Sequence, residues 1–242
     1  MKREFTLNKN DKKLALLIDP DWAIDKEWLV EVFSELKYAD FDLILIGGSL
    51  VFEPNNISNL IKEVKSLIDL PVYLFPGNVN QVDKEADGIF FISLISGRNP
   101  EFLIGQHVTG APLIKSLGLN VLPTGYMLIG NTQTSAHYMS QTQAIPFNKP
   151  SIALATALAG EMLGLKVIYM DGGSGADRSP SNEMIKLLSS ELEIPLIVGG
   201  GIQNRKQIEK SFENGANLVV IGTAVEKDPT IISQLRHTSI VK

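Results

Sequence analysis

The segment Lys166–Ala176, KVIYMDGGSGA, indicates how this chain folds and where it acts. Residues 167–170 form a run of strand length that ends on the carboxylate Asp171, and a loop of three glycines and a serine follows. Glycine lets a backbone approach an anion closely, and successive N–H groups in such a turn form an anion-binding concavity. The pattern predicts a buried strand followed by a phosphate loop, although Gly-Gly-Ser-Gly is also a common loop sequence.

Two further apolar runs that stop at glycine follow this segment. They are PLIVGGGI (Pro195–Ile202) and NLVVIGTA (Asn217–Ala224). Continuous apolar runs are typical of strands that are buried on both faces of a parallel sheet. In an eight-stranded α/β barrel the loops after strands seven and eight often hold phosphate. We therefore expect these turns to join the Asp171 loop in one phosphate cradle, rather than to serve only as tight turns.

Strand and helix patterns alternate along the rest of the chain. Five more runs are predicted strands, at 14–19, 43–48, 71–75, 88–93 and 120–129, the last interrupted by Pro123. Helical patterns lie at 27–36, 57–68, 100–117, 151–163, 181–192 and 204–213. Eight strands that are nearly all followed by a helix predict a (β/α)8 TIM barrel. We expect one domain over residues 1–242, with a polar N-terminal extension at 1–12.

The connection between the third and fourth predicted strands is unusually short. It begins at Pro76-Gly77 and has only about a dozen residues, which is roughly the minimum for a crossover that includes a helix. We therefore expect the third helical segment to be degenerate, so that part of the barrel wall stays open. The gap would form a groove lined by Phe75, Phe90 and Phe91, unless a loop simply covers it.

Composition excludes several classes of function. The net charge of −5 argues against a nucleic-acid binder, and the absence of cysteine excludes disulfides and thiolate chemistry. His107, His137 and His237 are scattered without metal-ligand spacing. No apolar stretch approaches the roughly 18 residues needed to span a bilayer, and the polar N-terminus has no signal-peptide core. We expect a cytoplasmic protein that contacts a membrane surface at most transiently.

Polar residues at the ends of the first two strands suggest a cation site. Asp19 ends the first strand, and Ser49 follows the second. Mg²⁺ is usually held by one or two carboxylates and neutral oxygen ligands, with substrate phosphates completing its shell. We therefore predict Mg²⁺ at Asp19 and Ser49. The alternative is that Asp19-Pro20-Asp21 is only a capping turn before the first helix.

The order and spacing of short segments along most of the chain resemble the geranylgeranylglyceryl phosphate synthases and the related bacterial heptaprenylglyceryl phosphate synthases. The segments are IDPD (18–21), IGGS (46–49), FPGN (75–78), SLISGRNPEFLIGQH (93–107), YMDGGSGA (169–176), VGGGI (198–202) and VIGTAV (220–225). The resemblance implies a Mg²⁺-dependent prenyltransferase of ether lipid synthesis. Such an enzyme joins a polyprenyl diphosphate to the 3-hydroxyl of sn-glycerol 1-phosphate and releases diphosphate. It also implies the barrel with a degenerate third helical segment, and a homo-oligomer.

The resemblance also assigns residues by matching position. It implies Mg²⁺ at Asp19 and Ser49, and a glycerol phosphate site. That site comprises Tyr169, Met170, Asp171, Gly172, Gly173, Ser174, Gly175, Gly200, Gly201, Gly222 and Thr223. The family often has glutamate at the position of Asp171, and the heptaprenyl branch has a lysine at the position of Leu17. Leu17 favours the geranylgeranyl branch.

The chemistry gives catalytic roles to three side chains: Asp171, Tyr126 and Tyr169. Asp171 would orient the glycerol hydroxyl and accept its proton. Tyr126 and Tyr169 would stabilise the allylic cation with their aromatic faces, or they are ordinary core tyrosines. The apolar tail would lie near Phe90, Phe91, Leu94 and Leu103.

Two other functions fit the same residues. Three phosphate loops would equally support an isomerase or lyase that acts on a sugar phosphate, which would need neither Mg²⁺ nor a long apolar groove. A non-catalytic barrel that binds a phosphorylated metabolite or a partner protein is the third reading. Against that reading stand Asp19, Ser49 and Asp171 at the strand ends.

Overall fold

The computed structural model describes residues 2–21, 23, 26–36, 41–51, 55–130 and 134–235. Eight parallel strands close into a barrel in chain order, so that β1 pairs with both β2 and β8. The strands are β1 (Lys13–Ile18), β2 (Leu43–Ile46), β3 (Val72–Leu74), β4 (Gly88–Leu94), β5 (Asn120–Leu128), β6 (Val167–Asp171), β7 (Leu196–Gly199) and β8 (Leu218–Ile221). The predicted (β/α)8 barrel is confirmed.

Helices surround the strands on the outside of the barrel. They are α1 (Lys26–Leu36), α2 (Asn55–Leu67), α3 (Gln106–Ser116), α4 (Ser135–Ser140), α5 (Pro150–Met162), α6 (Asn182–Glu191), α7 (Arg205–Glu213), α8 (Thr223–Lys227) and α9 (Ile231–Gln234). Side-chain caps fix where α6 and α7 begin: Ser181 accepts a hydrogen bond from the Met184 N–H, and Asn204 accepts one from the Gln207 N–H. In the described part of the chain no helix is long and apolar enough to cross a membrane.

The wall of the barrel is open between β3 and β4. The two strands pair only at Tyr73–Gly88 and Leu74–Ile89, whereas β4 pairs with β5 along its whole length. The connection between them holds a three-residue 3₁₀ turn, Val79–Gln81, in place of a helix. The degenerate third segment predicted from spacing is therefore confirmed, and residues 90–94 of β4 have no strand beside them on the β3 side.

Strand β5 runs through Pro123 and is not interrupted there. The Lys166 N–H donates to the Pro123 carbonyl, so the backbone polar groups of Pro123 face the β6 side. The position of its missing N–H falls before β6 begins at Val167, and no ladder hydrogen bond is lost.

The core has an inner and an outer layer because side chains alternate along each strand. In β6, Tyr169 points into the barrel, whereas Ile168 and Met170 pack in the outer layer beneath the helices. The N-terminal end of the barrel is closed by Phe5, which is buried and packs edge-to-face on Tyr73 with 6.0 Å between ring centroids. The Tyr73 hydroxyl accepts a hydrogen bond from the Phe5 N–H at 2.9 Å. Functional groups therefore converge at the opposite, carboxyl end of the strands.

Candidate active site

A cleft of about 830 Å³ opens at the carboxyl ends of the strands. Most of the residues predicted from the sequence to form the site line this cleft together. They are Asp19, Ser49, Tyr126, Tyr169, Asp171, Gly173, Ser174, Gly175, Gly200, Gly201, Gly222 and Thr223. The strand order explains this convergence, because parallel strands of a barrel present all their carboxyl ends at one face.

Two residues assigned to the glycerol phosphate site do not line the cleft. Met170 is fully buried in the outer layer, since it alternates with the inward-pointing Tyr169 and Asp171. Gly172 lies beneath the loop, where an added Cβ would come within 2.9 Å of the Arg178 carbonyl oxygen. Met170 therefore contributes no side chain to the cleft. Gly172 packs against the backbone at Arg178 on the side of the loop away from the cleft.

Left-handed glycines shape the loops after β6 and β7. Gly173, Gly175, Gly200 and Gly201 have φ angles of +92°, +71°, +70° and +70°. An added Cβ at Gly200 would lie 2.2 Å from Asp171 Oδ1, so only glycine lets these two loops meet. An added Cβ at Gly175, in contrast, would have no atom within 4 Å and would project into open space.

Hydroxyl groups join this glycine-rich side of the cleft to β8. Ser174 Oγ and Thr223 Oγ1 lie 3.3 Å apart, and either can donate to the other. Loops from β6, β7 and β8 thus present small residues, backbone groups and two hydroxyls to one region. That composition suits the oxygens of a phosphate group.

Asp171 is held by two hydrogen bonds at the end of β6. Its Oδ2 accepts from the Tyr126 hydroxyl at 2.5 Å, and its Oδ1 accepts from the Gly173 N–H at 2.7 Å. Burial raises the pKa of Asp171, and the bonds from Tyr126 and Gly173 act in the opposite direction. Burial also raises the pKa of Tyr126 well above its usual value, so the phenol stays protonated and remains the donor. The carboxyl group is thereby oriented and poised to exchange a proton.

Three aromatic rings form the floor of the cleft beside Asp171. Tyr126 and Tyr169 pack edge-to-face with centroids 5.4 Å apart, and Phe75 packs against both rings at 5.9 and 5.4 Å. Tyr169 is almost completely buried, whereas Tyr126 also lines the apolar groove described below. The floor can therefore present aromatic surface to a cationic centre from below.

Asp19 lies across the cleft, at the end of β1. Its Oδ1 accepts from the Asp21 N–H at 3.0 Å, so the capping turn predicted as an alternative is present as well. Its pKa is raised, mainly by burial and further by the Asp21 charge. Gly48 leaves room beside this carboxylate, because an added Cβ there would lie 2.6 Å from Asp19 Oδ2.

The donors on this side of the cleft fit a hard cation such as Mg²⁺. Asp19 supplies a carboxylate and Ser49 a hydroxyl, and both line the cleft. Among the described residues no group of three or more histidine, cysteine or acidic side chains is arranged to hold a metal ion. A Mg²⁺ ion here would depend on substrate oxygens and water for the rest of its shell, which is its usual behaviour in phosphate enzymes.

Glu226 was not predicted and is a neighbour of Asp19. It lies on α8 and is only 9% exposed, and the Asp19 backbone N–H and the Thr223 hydroxyl are close enough to act towards a lower pKa of its carboxyl group. Burial, and then the Asp19 charge, raise the pKa of Glu226 to about 7. The spacing Thr-x-x-Glu directly after the last strand is a helix-start signal and could have drawn attention to this residue.

A second, apolar cavity of about 130 Å³ adjoins the cleft on the open side of the barrel. This groove runs between β4, the 3₁₀ turn and α3, and Ser49, Phe75 and Tyr126 line both spaces. Phe90, Phe91 and Leu94 line the groove as predicted. Leu103 does not, and the adjacent Phe102 lines it in its place.

The two histidines in the described part of the chain have structural partners. His107 packs edge-to-face on Phe91 at 4.4 Å, and His137 Nδ1 lies 2.7 Å from the Thr134 hydroxyl. Burial lowers the pKa of both rings. His237 lies outside the described residues.

Comparison with solved structures supports the same fold over nearly the whole chain. A geranylgeranylglyceryl phosphate synthase from Thermoplasma acidophilum, solved in complex with its substrate sn-glycerol-1-phosphate, superimposes with a TM-score of 0.87 and 28% identity. The match covers 94% of this chain and 92% of that one. Wild-type GGGPS from Thermoplasma volcanium superimposes with a TM-score of 0.86 and 32% identity, and the match covers 94% of this chain and 91% of that one. The tryptophan synthase α-subunit of Pyrococcus furiosus, with 13% identity and a TM-score of 0.61, shares the fold alone.

Sequence relatives agree with the structural comparison. A geranylgeranylglyceryl phosphate synthase from Chitinophaga pinensis is 43% identical over 228 residues, covering 94% of this chain and 90% of the relative. A geranylgeranylglyceryl phosphate synthase from Thermococcus kodakarensis is 37% identical over 219 residues, which cover 90% of this chain and 86% of the relative. The model of the PcrB family matches residues 8–239. The resemblance drawn from short segments is confirmed, and the chain belongs to the PcrB family.

Proposed function

We propose that this protein joins geranylgeranyl diphosphate to the 3-hydroxyl of sn-glycerol 1-phosphate and releases diphosphate. The observation that carries the proposal is a buried carboxylate, Asp171, in a glycine-lined cleft that an apolar groove adjoins. The names of the relatives and the glycerol phosphate bound to the Thermoplasma acidophilum enzyme support it.

The glycerol phosphate is proposed to lie on the side of β6, β7 and β8. Its phosphate would contact the loops that contain Gly175, Gly201 and Thr223, and its 3-hydroxyl would reach Asp171. As the glycerol oxygen bonds to the first carbon of the prenyl chain, the bond from that carbon to diphosphate breaks, and the hydroxyl proton passes to Asp171. Tyr126 and the Gly173 N–H keep the carboxyl in place during this transfer.

The diphosphate is proposed to leave on the side of β1 and β2, with Mg²⁺ as the cofactor. Asp19 and Ser49 would hold the ion. When bound, Mg²⁺ supplies positive charge for the departing diphosphate oxygens. The carboxylate, the hydroxyl and the room left by Gly48 support this assignment.

The prenyl tail is proposed to enter the apolar groove through the gap between β3 and β4. Phe75, Phe90 and Phe91 give it apolar walls, and Tyr126 stands where the groove meets the cleft. The edge-to-face rings of Tyr126 and Tyr169 would stabilise the allylic cation, each by about 1–2 kcal/mol in a site without water.

The direct test is turnover by the purified protein. It would be incubated with labelled sn-glycerol 1-phosphate, Mg²⁺ and farnesyl, geranylgeranyl or heptaprenyl diphosphate, with sn-glycerol 3-phosphate as the control. The proposal predicts prenylglyceryl phosphate, most rapidly with geranylgeranyl diphosphate, and little product from the enantiomer. Preference for heptaprenyl diphosphate would place the protein in the other branch, and no product from any allylic diphosphate would refute the proposal.

We further propose that the protein is a cytoplasmic homo-oligomer that contacts membrane surfaces transiently. Large apolar side chains on the outside support self-association: Val108 on α3 and Met162 and Leu163 at the end of α5 are 68%, 82% and 80% exposed. Light scattering of the purified protein tests the oligomeric state, and a monomer at all concentrations would exclude the homo-oligomer.

A further inference from the structure

We propose that Gln81 is a positioning residue that holds the loop after β2 where Ser49 and Asp19 can share a cation. The proposal rests on the proposed function, because it takes this side of the cleft to bind Mg²⁺ and the departing diphosphate. Gln81 ends the 3₁₀ turn that replaces the third helix, and it is only 1% exposed. It lines neither the cleft nor the groove, so it acts through other residues.

The side-chain amide of Gln81 is hydrogen-bonded to the loops after β2 and β3. Its Nε2 donates to the Gly48 carbonyl at 2.8 Å. Its Oε1 accepts from the Gly77 N–H at 3.2 Å and, more weakly, from the Gly48 N–H at 3.5 Å. Because both ends of one buried amide are bonded, Gln81 fixes the two loops to each other as well as to the turn.

The ladder of strand hydrogen bonds ends one residue before Gly48. The Gly47 N–H donates to the Ile18 carbonyl of β1, and on the other side the Phe75 N–H donates to the Ile46 carbonyl. In the described part of the chain, the N–H and the carbonyl of Gly48 bond to Gln81 instead of to a neighbouring strand. Gln81 therefore determines where the chain runs as it leaves β2.

The position of Gly48 in turn determines the geometry of the proposed cation site. An added Cβ at Gly48 would lie 2.6 Å from Asp19 Oδ2, and an added Cβ at Gly77 would clash with the Gly48 carbonyl oxygen. The loop is thus packed between the ends of β1 and β3. Because Ser49 follows Gly48 directly, a shift of this backbone would move the Ser49 hydroxyl relative to the Asp19 carboxylate. Groups that orient metal ligands in this way typically contribute about 10- to 100-fold to metal affinity or activity.

The test is calorimetric binding of inorganic diphosphate in the presence of Mg²⁺, measured beside binding of sn-glycerol 1-phosphate. Gln81→Met keeps the length of the side chain and removes its hydrogen bonds. Asn217→Leu is the matched control, because Asn217 is also a buried amide that bonds backbone groups, the Leu196 N–H and the Lys9 carbonyl, but at the opposite end of the barrel. We expect Gln81→Met to weaken Mg²⁺-dependent diphosphate binding by about tenfold or more and to leave the affinity for glycerol phosphate unchanged. Asn217→Leu should match wild type for both ligands.

Unchanged diphosphate affinity in Gln81→Met, or equal weakening of both ligands, would overturn the inference. Circular dichroism would verify the fold of each variant. If Gln81→Met does not fold, Gln81→Asn decides, because asparagine keeps an uncharged amide but is one methylene group too short to bond both loops. Wild-type diphosphate affinity in that variant overturns the inference too. Failure of the proposed function looks different: wild type itself would then bind no diphosphate with Mg²⁺, and Gln81 would have no cation site to position.

Discussion

The two sides of the cleft differ in the kind of residues that line them. On the side of β6 to β8, a glycine follows each strand, and the loops present backbone groups and short hydroxyl side chains. On the side of β3 to β5, the wall opens and aromatic and aliphatic side chains line the space. One barrel can thus offer a polar region and an apolar groove beside each other, because side chains are short on one side and a helix is missing on the other.

Asp171 stands where the two sides meet, and its substitution should have the largest effect. Asp171→Asn keeps the size of the side chain but removes the proton acceptor, so kcat should fall by about 100- to 10,000-fold while the KM for glycerol phosphate changes little. Asp171→Glu should retain substantial activity, because glutamate keeps the carboxylate and adds only one methylene group. Steady-state kinetics of the three proteins would check this. An asparagine variant as fast as wild type would mean that Asp171 only shapes the turn.

Substitution of Asp19 tests whether the β1 side of the cleft binds the departing diphosphate. Asp19→Ala should lower turnover by about 100-fold or more, because several kcal/mol of charge stabilisation would be lost with the cation. Asp228→Asn is the matched control, since it changes an exposed carboxylate that lines the same cleft. Circular dichroism would verify the fold of both variants. Wild-type rates that persist in excess chelator would show that the reaction does not need Mg²⁺.

Glu226 should contribute to the pH dependence of the stability of the metal-free protein. Its pKa rises from 4.5 to about 7 on folding, so within that window the unfolded chain binds fewer protons than the folded one. Stability should therefore fall as pH rises from about 4.5 to about 7, by up to about 3 kcal/mol. Glu226→Gln should weaken this dependence in urea unfolding, whereas the exposed control Glu213→Gln should not. Identical slopes for all three would contradict the assignment.

Local patterns were sufficient to predict the barrel and most of the strand-end residues that line the cleft. Apolar runs that end in glycine mark strands and turns directly, and the short spacing after Phe75 indicated the missing third helix. Met170 could also have been placed correctly, because strand alternation puts it opposite the faces of Tyr169 and Asp171.

Other features depend on contacts between distant residues and could not be predicted. The link from Glu226 to Asp19 joins opposite ends of the chain, and it exists only because β8 closes onto β1. Leu103 lies within the helix predicted over residues 100–117, but Glu101–Gly105 forms a π-helical turn before α3. The wider turn rotates the side chains relative to an α-helix, and Phe102 faces the groove instead.

The most direct test of the difference between the two sides is calorimetric binding of sn-glycerol 1-phosphate to Gly175→Val. Gly175 has φ +71° and no protein atom near its missing Cβ, so valine would project into the proposed phosphate site; the left-handed backbone strains a β-branched residue there, and the control carries the same strain. Gly118→Val is the matched control, because Gly118 has φ +60° and equally open surroundings at the end of α3. We expect affinity to fall about 10- to 100-fold in Gly175→Val and to stay at the wild-type level in Gly118→Val. Wild-type affinity in Gly175→Val would contradict the assignment of the glycine-lined side to phosphate.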